Sequence, residues 1–244
     1  MEYYPPVSEK EGKKARVAAM FDAIAARYDL VNRVLSFGID RGWRKKAIRQ
    51  LGPQKGGRIL DLATGTGDVA MAVLQLDPAQ VVGVDIAPQM LERARMKAAL
   101  HPLAARLIFC HGSAEDLPFG EQEFDAAIVA FGVRNFEHLD LGLTEIFRVL
   151  RPGSPLVVLE FSQPRARLVR LGYATYLRWV LPTIGQLLSR VKGAYQYLPD
   201  SINVFPDGDV FLARLQSAGF TETHAEQLTF GITTLYTGRV PLTP

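Results

Sequence analysis

Cysteine is almost absent: Cys110 is the one thiol in 244 residues. No disulfide can form within the chain, which points to a reducing, cytoplasmic setting. Cys110 lies in the run Leu107-Ile108-Phe109-Cys110, where a thiol reads as a small buried hydrophobe. Histidine is scarce as well. His101, His111, His138 and His224 share no ligand spacing, so no metal site is expected. No apolar stretch approaches the eighteen or so residues of a membrane span. The opening residues MEYYPPVSEKEGKKAR have no apolar core and do not read as a secretory signal. The first dozen residues are expected to be loose. Repeats and low-complexity tracts are missing. Charge is nearly balanced, at +3, with no basic stripe interleaved with aromatics, so no nucleic-acid partner is expected.

Against these absences stands an ordinary globular composition, 48% hydrophobic and 22% charged, sufficient for one large domain with a full core. Apolar residues at Val17, Met20, Phe21, Ile24, Tyr28, Val31 and Val34-Leu35 predict a helix over 16–35, and a second helix follows at Arg41–Leu51. The pattern then changes. Strands are predicted at Arg58–Leu62, Val81–Asp85, Arg106–Cys110, Asp125–Ala130 and Leu156–Phe161, with helices between them at Asp68–Leu76, Pro88–Leu100 and Leu141–Leu150. Such alternation implies an α/β fold, a doubly wound parallel sheet covered on both faces. Residues 163–205 interrupt it as an aromatic-rich insertion bounded by prolines. A helix at Asp209–Ala218 and strands at Thr221–Leu228 and Ile232–Tyr236 close the chain, the last two near enough to pair antiparallel. The expected organisation is an N-terminal helical cap over 1–52 and a seven-stranded, Rossmann-like domain over 53–244 that carries the insertion.

Arg58-Ile59-Leu60-Asp61-Leu62-Ala63-Thr64-Gly65-Thr66-Gly67-Asp68-Val69-Ala70 fits a strand, a G-x-G-x-x-G/A turn and a helix start, with Asp85 twenty residues after Gly65. On the motif alone the ligand is a nicotinamide dinucleotide. The flanking charges argue otherwise. A diphosphate seeks bare amides and the positive end of a helix. Asp61 and Asp68 beside the turn would repel it, and no Lys or Arg lies within the turn. A cationic, phosphate-free nucleoside, S-adenosylmethionine, fits better. Gly65 and Gly67 would let the backbone approach its amino-acid part. Asp85 at a strand end would accept from both ribose hydroxyls. Asp61 reads equally as a turn residue or as a ligand contact. The loop His111-Gly112-Ser113-Ala114-Glu115-Asp116 lies at the same sheet edge and can read the adenine, although Ser113 reads equally as a turn residue.

Phe131-Gly132-Val133-Arg134-Asn135-Phe136 follows the fourth strand, where the loop should face the transferable methyl group. Arg134 and Asn135 are candidates for an oxygen-bearing acceptor, or else a solvated surface pair. The Asn/Asp-Pro-Pro-Tyr/Phe stretch of amino-group methylases is missing at this position, which disfavours an amine or adenine acceptor.

Taken together, several separate stretches resemble the quinone-biosynthesis C-methyltransferases that act on demethylmenaquinone and related benzoquinols. They are Met20-Phe21-Asp22-Ala23-Ile24-Ala25-Ala26-Arg27-Tyr28-Asp29 with Leu35-Ser36-Phe37-Gly38 and Arg41-Gly42-Trp43-Arg44, the glycine turn, Phe131-Gly132-Val133-Arg134-Asn135, Leu159-Glu160-Phe161-Ser162, Tyr195-Gln196-Tyr197-Leu198 with Phe205-Pro206, and Leu228-Thr229-Phe230-Gly231. The likeness runs from about Ala18 to Gly238. It implies a class I S-adenosylmethionine-dependent methyltransferase, with cofactor contacts at Thr66, Asp85, Ser113 and Ala114. Ala130 stands where the family often has serine, so only a backbone contact is expected there.

The acceptor implied is a polyprenylated hydroquinone, with demethylmenaquinol ahead of a ubiquinone-pathway benzoquinol or dual specificity. A phenol has a pKa of about 10, and a nearby cation lowers it. Arg134 is the candidate for that role, with Asn135 orienting the oxygen. Tyr28, Asp29, His138, Glu160 or water are candidates for the proton acceptor, Tyr28 reading also as core. Residues 164–192 alternate basic and apolar residues and suggest a lid with weak peripheral membrane contact, or a dimer contact. A nicotinamide dehydrogenase and a non-catalytic binding protein are the competing classes.

Overall fold

A computed structural model of the chain describes residues 12–189 and 197–242. Two helices, α1 (Lys13–Ile24) and α2 (Tyr28–Leu35), stand where one was expected. A 3₁₀ turn at Ala25–Arg27 separates them, and Arg27 leaves helical geometry at φ −125°, ψ 2°. Helix α3 (Asp40–Gln50) completes the cap. The opening dozen residues, expected to be loose, lie outside the described residues except for Gly12.

The alternating part follows as β1 (Arg58–Leu62), α4 (Asp68–Val73), β2 (Gln80–Asp85), α5 (Pro88–Ala98), β3 (Leu107–His111), β4 (Ala126–Ala130), α6 (Leu139–Val149) and β5 (Pro155–Phe161). The insertion holds α7 (Arg167–Thr175), a π-helical turn (Tyr176–Val180), α8 (Leu181–Ser189) and α9 (Tyr197–Val204), and α10 (Asp209–Ser217), β6 (Thr221–Leu228) and β7 (Thr233–Arg239) end the chain. The sheet order is β3-β2-β1-β4-β5-β7-β6. Strands β1 to β5 are parallel, and β7 runs antiparallel between β5 and β6. Because β1 pairs with both β2 and β4, the direction of winding reverses there, and the crevice beyond the carboxyl ends of β1 and β4 is where such a sheet binds ligands.

Period-two alternation sorts the strand residues onto two faces. Leu60 and Leu62 join Val82, Val84 and Phe124 against α6 and α10. Ile59 joins Val81, Ile128 and Val157 against α3, α4 and α5. A third apolar cluster lies over the carboxyl edge. Met20, Ile24 and Val31 of the cap meet Leu177, Leu181 and Ile202 of the insertion there. The Tyr176 hydroxyl donates to the Leu35 carbonyl at 2.6 Å and ties the two together. Segments more than 140 residues apart thus form one roof over the crevice.

Candidate active site

Two cavities lie beneath that roof. The first lies at the ends of β1, β2 and β4, with Gly65, Asp85, Ile86, Ala114, Ala130, Gly132 and Asn135 in its wall and Lys14, Val17 and Phe21 of α1 above. The second is several times larger, lies between cap and insertion and is mainly apolar, with Met20, Ile24, Leu35, Trp43, Phe161, Leu177 and Leu181 among its walls. Phe21, Tyr28 and Phe131 line both and so stand at their junction.

The glycine turn begins with Ala63 at φ 56°, and the β4 loop with Phe131 at φ 61°, both in the left-handed region that non-glycine residues seldom adopt. Between them, a Cβ on Gly132 would sit 2.4 Å from the Ala63 Cβ. Only glycine lets these two loops meet, and strain of this kind gathers at functional sites. Gly67, at φ 79°, serves packing: its Cβ would lie 3.0 Å from the Phe109 ring and 3.1 Å from Ala94. Gly65, at φ 56°, opens onto the first cavity.

Asp85 lines that cavity from the end of β2. Its Oδ2 accepts the Gly65 N–H at 2.7 Å and its Oδ1 the Ala87 N–H at 2.9 Å. Burial raises its pKa, against those backbone donors. Ala114 and Ala130 also line the cavity, whereas the Ser113 hydroxyl is turned to the Glu115 carboxylate.

The two carboxylates beside the turn, Asp61 and Asp68, do not line this cavity. Asp61 shares the strand face of Ile59, is buried, and accepts the Thr64 hydroxyl at 2.6 Å. Its burial pushes the pKa up to about 7, so at neutrality it is far from a full negative charge. Asp68 is neutralised by Lys97 and by Arg44, the latter at 3.1 Å. The Thr66 hydroxyl donates to Asp29 at 2.5 Å and receives Lys97 at 3.1 Å, so its side chain fastens the cap to the turn. The repulsion expected of Asp61 and Asp68 is therefore not what the structure provides. What the structure sets against a dinucleotide is different: the Gly65 and Gly67 amides are already bonded, to Asp85 and to the Thr64 carbonyl, and Glu115 and Glu137 stand in the cavity wall.

Arg134 and Asn135 part company. Asn135 lines the first cavity, with a buried Oδ1 that has no hydrogen-bond partner among the described residues. Arg134 lines the second. Its Nη1 donates to Glu160 at 2.7 Å and to the Phe131 carbonyl at 2.6 Å, its Nε to Ser201 at 3.3 Å, and its guanidinium lies 5.5 Å from the Phe161 ring centre. Glu160 also accepts the N–H groups of Arg134 (3.2 Å) and Phe161 (2.8 Å). The pair is neutral overall, so Arg134 presents a directed N–H rather than a bare cation. Lys13 of α1 pins the same loop, donating to the carbonyls of Arg134 (3.1 Å) and Phe136 (2.6 Å).

The structure narrows the proton acceptor as well. Tyr28 stands at the junction, but burial raises its pKa despite the nearby arginines, so its hydroxyl stays protonated. Asp29 is bound by Thr66 and Lys97, and Glu160 by Arg134. His138 lines neither cavity. The glycine motif could not reveal Lys13, Tyr173 or Tyr197, whose positions depend on how the roof closes.

A doubly wound sheet with a glycine turn and a strand-end acid at its crevice, closed by an antiparallel β7 set between β5 and β6, has the fold of a class, the Rossmann-like methyltransferases. The Thermotoga maritima protein described as an S-adenosylmethionine-dependent methyltransferase and possible histamine N-methyltransferase has this fold: TM-score 0.62, 19% identity, 91% of this chain and 98% of that one. Within the class, the chain belongs to the ubiE/COQ5 methyltransferase family, whose model matches residues 9–239. The ubiquinone/menaquinone biosynthesis C-methyltransferase UbiE of Geobacter sulfurreducens is 46% identical over 93% of this chain and 89% of its own length. The demethylmenaquinone methyltransferase of Bacteroides fragilis is 44% identical over 95% of each. Membership sets aside the dehydrogenase alternative.

Proposed function

We propose that the chain transfers a methyl group from S-adenosylmethionine to a ring carbon of demethylmenaquinol. The observation that carries this reading is the junction of the cavities. A small cavity with a ribose-type acid and two glutamates abuts a large apolar chamber, and Tyr28 and Phe131 form their common wall. The first suits a cationic nucleoside and the second a ring with an isoprenoid tail.

Bound there, the cofactor would supply its methyl on a sulfonium. Asp85 is suited to the ribose, the backbone at Gly65, Ala114 and Ala130 to the rest of the nucleoside and amino acid, and the Asn135 Oδ1 to a donor on the ligand. Asp61, Thr66, Gly67 and Ser113 would act by shaping the turn and the adenine loop. In the chamber, the Arg134 N–H would steady an acceptor oxygen as it gives up its proton to water. The ring carbon would then take the methyl as the C–S bond breaks, and loss of the ring proton restores aromaticity. Holding the partners in line is worth up to roughly 7–11 kcal/mol.

Labelled methyl transfer to demethylmenaquinol under reducing conditions tests this. Label in menaquinol supports the reading, and label only in the C-methylated benzoquinol, when both acceptors are offered, moves the chain to the ubiquinone-type reaction. Tight cofactor binding with no transfer to either quinol overturns it.

No helix among the described residues is long and apolar enough to cross a membrane. We further propose weak peripheral contact with the cytoplasmic leaflet. Phe37 at the chamber edge, Leu168 and Leu171 on the outer side of α7, Trp179 and Phe230 are exposed, amid exposed Arg165, Arg167, Arg170 and Arg178. Flotation should show the chain on anionic vesicles and much less on neutral ones. Failure to float on any composition, with dimers in gel filtration, would assign this rim to a second copy of the chain.

A further inference from the structure

The polar groups of the large chamber are mostly matched to one another. Ser36 donates to Asp40 at 2.7 Å, the Trp43 indole to Thr229 at 2.8 Å, and Tyr176 to the Leu35 carbonyl at 2.6 Å. Two are not. Tyr173 on α7 and Tyr197 at the start of α9 both line the chamber, and both hydroxyls are buried with no hydrogen-bond partner among the described residues. A buried hydroxyl without a partner costs stability. Two of them in one chamber, on one insertion, suggest a ligand that bonds to both.

Their neighbourhood indicates which part of it. The charges of Arg134 and Glu160 act on both phenols. Burial dominates and raises both pKa values, so both hydroxyls remain donors. Arg134 has Nη1 and Nε engaged, while Nη2 donates to no described residue. An otherwise apolar chamber therefore receives unspent N–H and O–H groups from two elements, Arg134 of the β4 loop and the two phenols of the insertion. An acceptor with one oxygen would leave the phenols idle, because a ring bound through that oxygen carries nothing on its far side. A 1,4-dihydroxyarene has a second oxygen there.

We propose that Tyr173 and Tyr197 hold the second ring oxygen of the acceptor, so that the insertion selects para-dihydroxylated rings over monohydroxylated ones. This rests on the acceptor-chamber reading above. The phenols position and select the ring, and take no part in moving the methyl group.

The test is anaerobic calorimetry with S-adenosylhomocysteine present, titrating 1,4-dihydroxynaphthalene and 1-naphthol into the wild type and into Tyr173→Phe/Tyr197→Phe. The wild type should prefer the dihydroxy ring by about tenfold, the scale of one or two hydrogen bonds. The double variant should lose that preference and keep its affinity for 1-naphthol. Its melting temperature without ligand should be unchanged or higher, since each change removes an unpaired buried hydroxyl. A merely structural role would lower it and weaken both ligands alike. A preference that survives in the double variant, or equal weakening of both arenes, overturns the inference. A wild type that binds neither arene refutes the chamber reading itself. If the double variant does not fold, Tyr173→Phe and Tyr197→Phe singly are read by the same ratio.

Discussion

Arg134→Met is expected to lose about 3–5 kcal/mol of stability, at the lower end of that range, and at least a hundredfold in methyl transfer. The Arg134 and Glu160 side chains are only 6% and 0% exposed, and their ion pair spans 2.7 Å. Removing the guanidinium strands a carboxylate in the interior. Glu160 keeps the Arg134 and Phe161 amides as donors, which limits the loss. Glu160→Gln should destabilise too, because it leaves a cation in the same place. The informative variant is the double one. With both charges gone, denaturant unfolding of Arg134→Met/Glu160→Gln should recover most of the stability, since a buried ion pair contributes little net against apolar replacements. Methyl transfer should not recover. Stability and turnover recovering together would make Arg134 a structural residue alone. The pH profile adds a second reading. Glu160→Gln leaves the Arg134 charge uncompensated, so the acceptor hydroxyl should ionise more readily and the limb along which turnover rises with pH should move to lower pH. A limb that stays in place would mean that the charge of Arg134 does not act on the acceptor.

Much of this fold is legible in the sequence because strand positions announce themselves. Apolar runs such as Leu156-Val157-Val158-Leu159 are buried on both faces of a parallel sheet and carry no helical period. The glycine turn is legible because only glycine tolerates its backbone. The orientation of Asp61 was in the sequence as well: it shares parity with Ile59, which packs beneath α3 and α4, so it points under the turn and away from the crevice. Closeness along the chain does not give direction, and Asp61, one residue before Leu62 and near the turn in sequence, is turned to the opposite face. Other features could not be read in advance. Asp68 is silenced by Arg44 from α3 and Lys97 from α5, partners 24 and 29 residues away. The large chamber belongs to no single motif, since it exists only where the cap meets the insertion. Tyr173 and Tyr197 read as two aromatic residues among many, because an unsatisfied hydroxyl is visible only once its surroundings are built. Arg134 and Asn135 are neighbours in sequence, yet the 3₁₀ turn at Val133–Asn135 sends their side chains into different cavities.

Asp85→Asn should weaken S-adenosylhomocysteine binding by about thirty- to a hundredfold in calorimetry while leaving the sheet intact. Asp85 Oδ2 accepts the Gly65 N–H and Oδ1 the Ala87 N–H, the Ile86 amide acts on the same carboxylate, and two carboxylate oxygens can accept about four hydrogen bonds, which leaves capacity for a ligand. A ribose presents two adjacent hydroxyls, both donors. An asparagine turns one oxygen into an NH₂, which must either face the Gly65 or Ala87 N–H, donor against donor, or withdraw from the ligand. A hydrogen bond to a charged group is worth about 1.5–3 kcal/mol, and 1.4 kcal/mol is a factor of ten, so one such loss together with a slackened turn reaches the expected range. The pH dependence separates this from general damage. Burial raises the Asp85 pKa, so protonation sets in at a higher pH than for an ordinary carboxylate. Wild-type affinity should therefore fall on acidification before free carboxylates titrate, and that limb should be missing in Asp85→Asn. The empty protein should show the opposite trend. A raised folded-state pKa means that the contribution of this group to stability is full below the unfolded value and is lost as pH rises through the folded one. Ligand binding and folding thus draw on the same proton in opposite directions, as expected of a carboxylate kept in the interior for its ligand. An affinity within threefold of wild type in Asp85→Asn, or an unchanged acid limb, would remove Asp85 from the ribose and leave it as the anchor of the glycine turn alone.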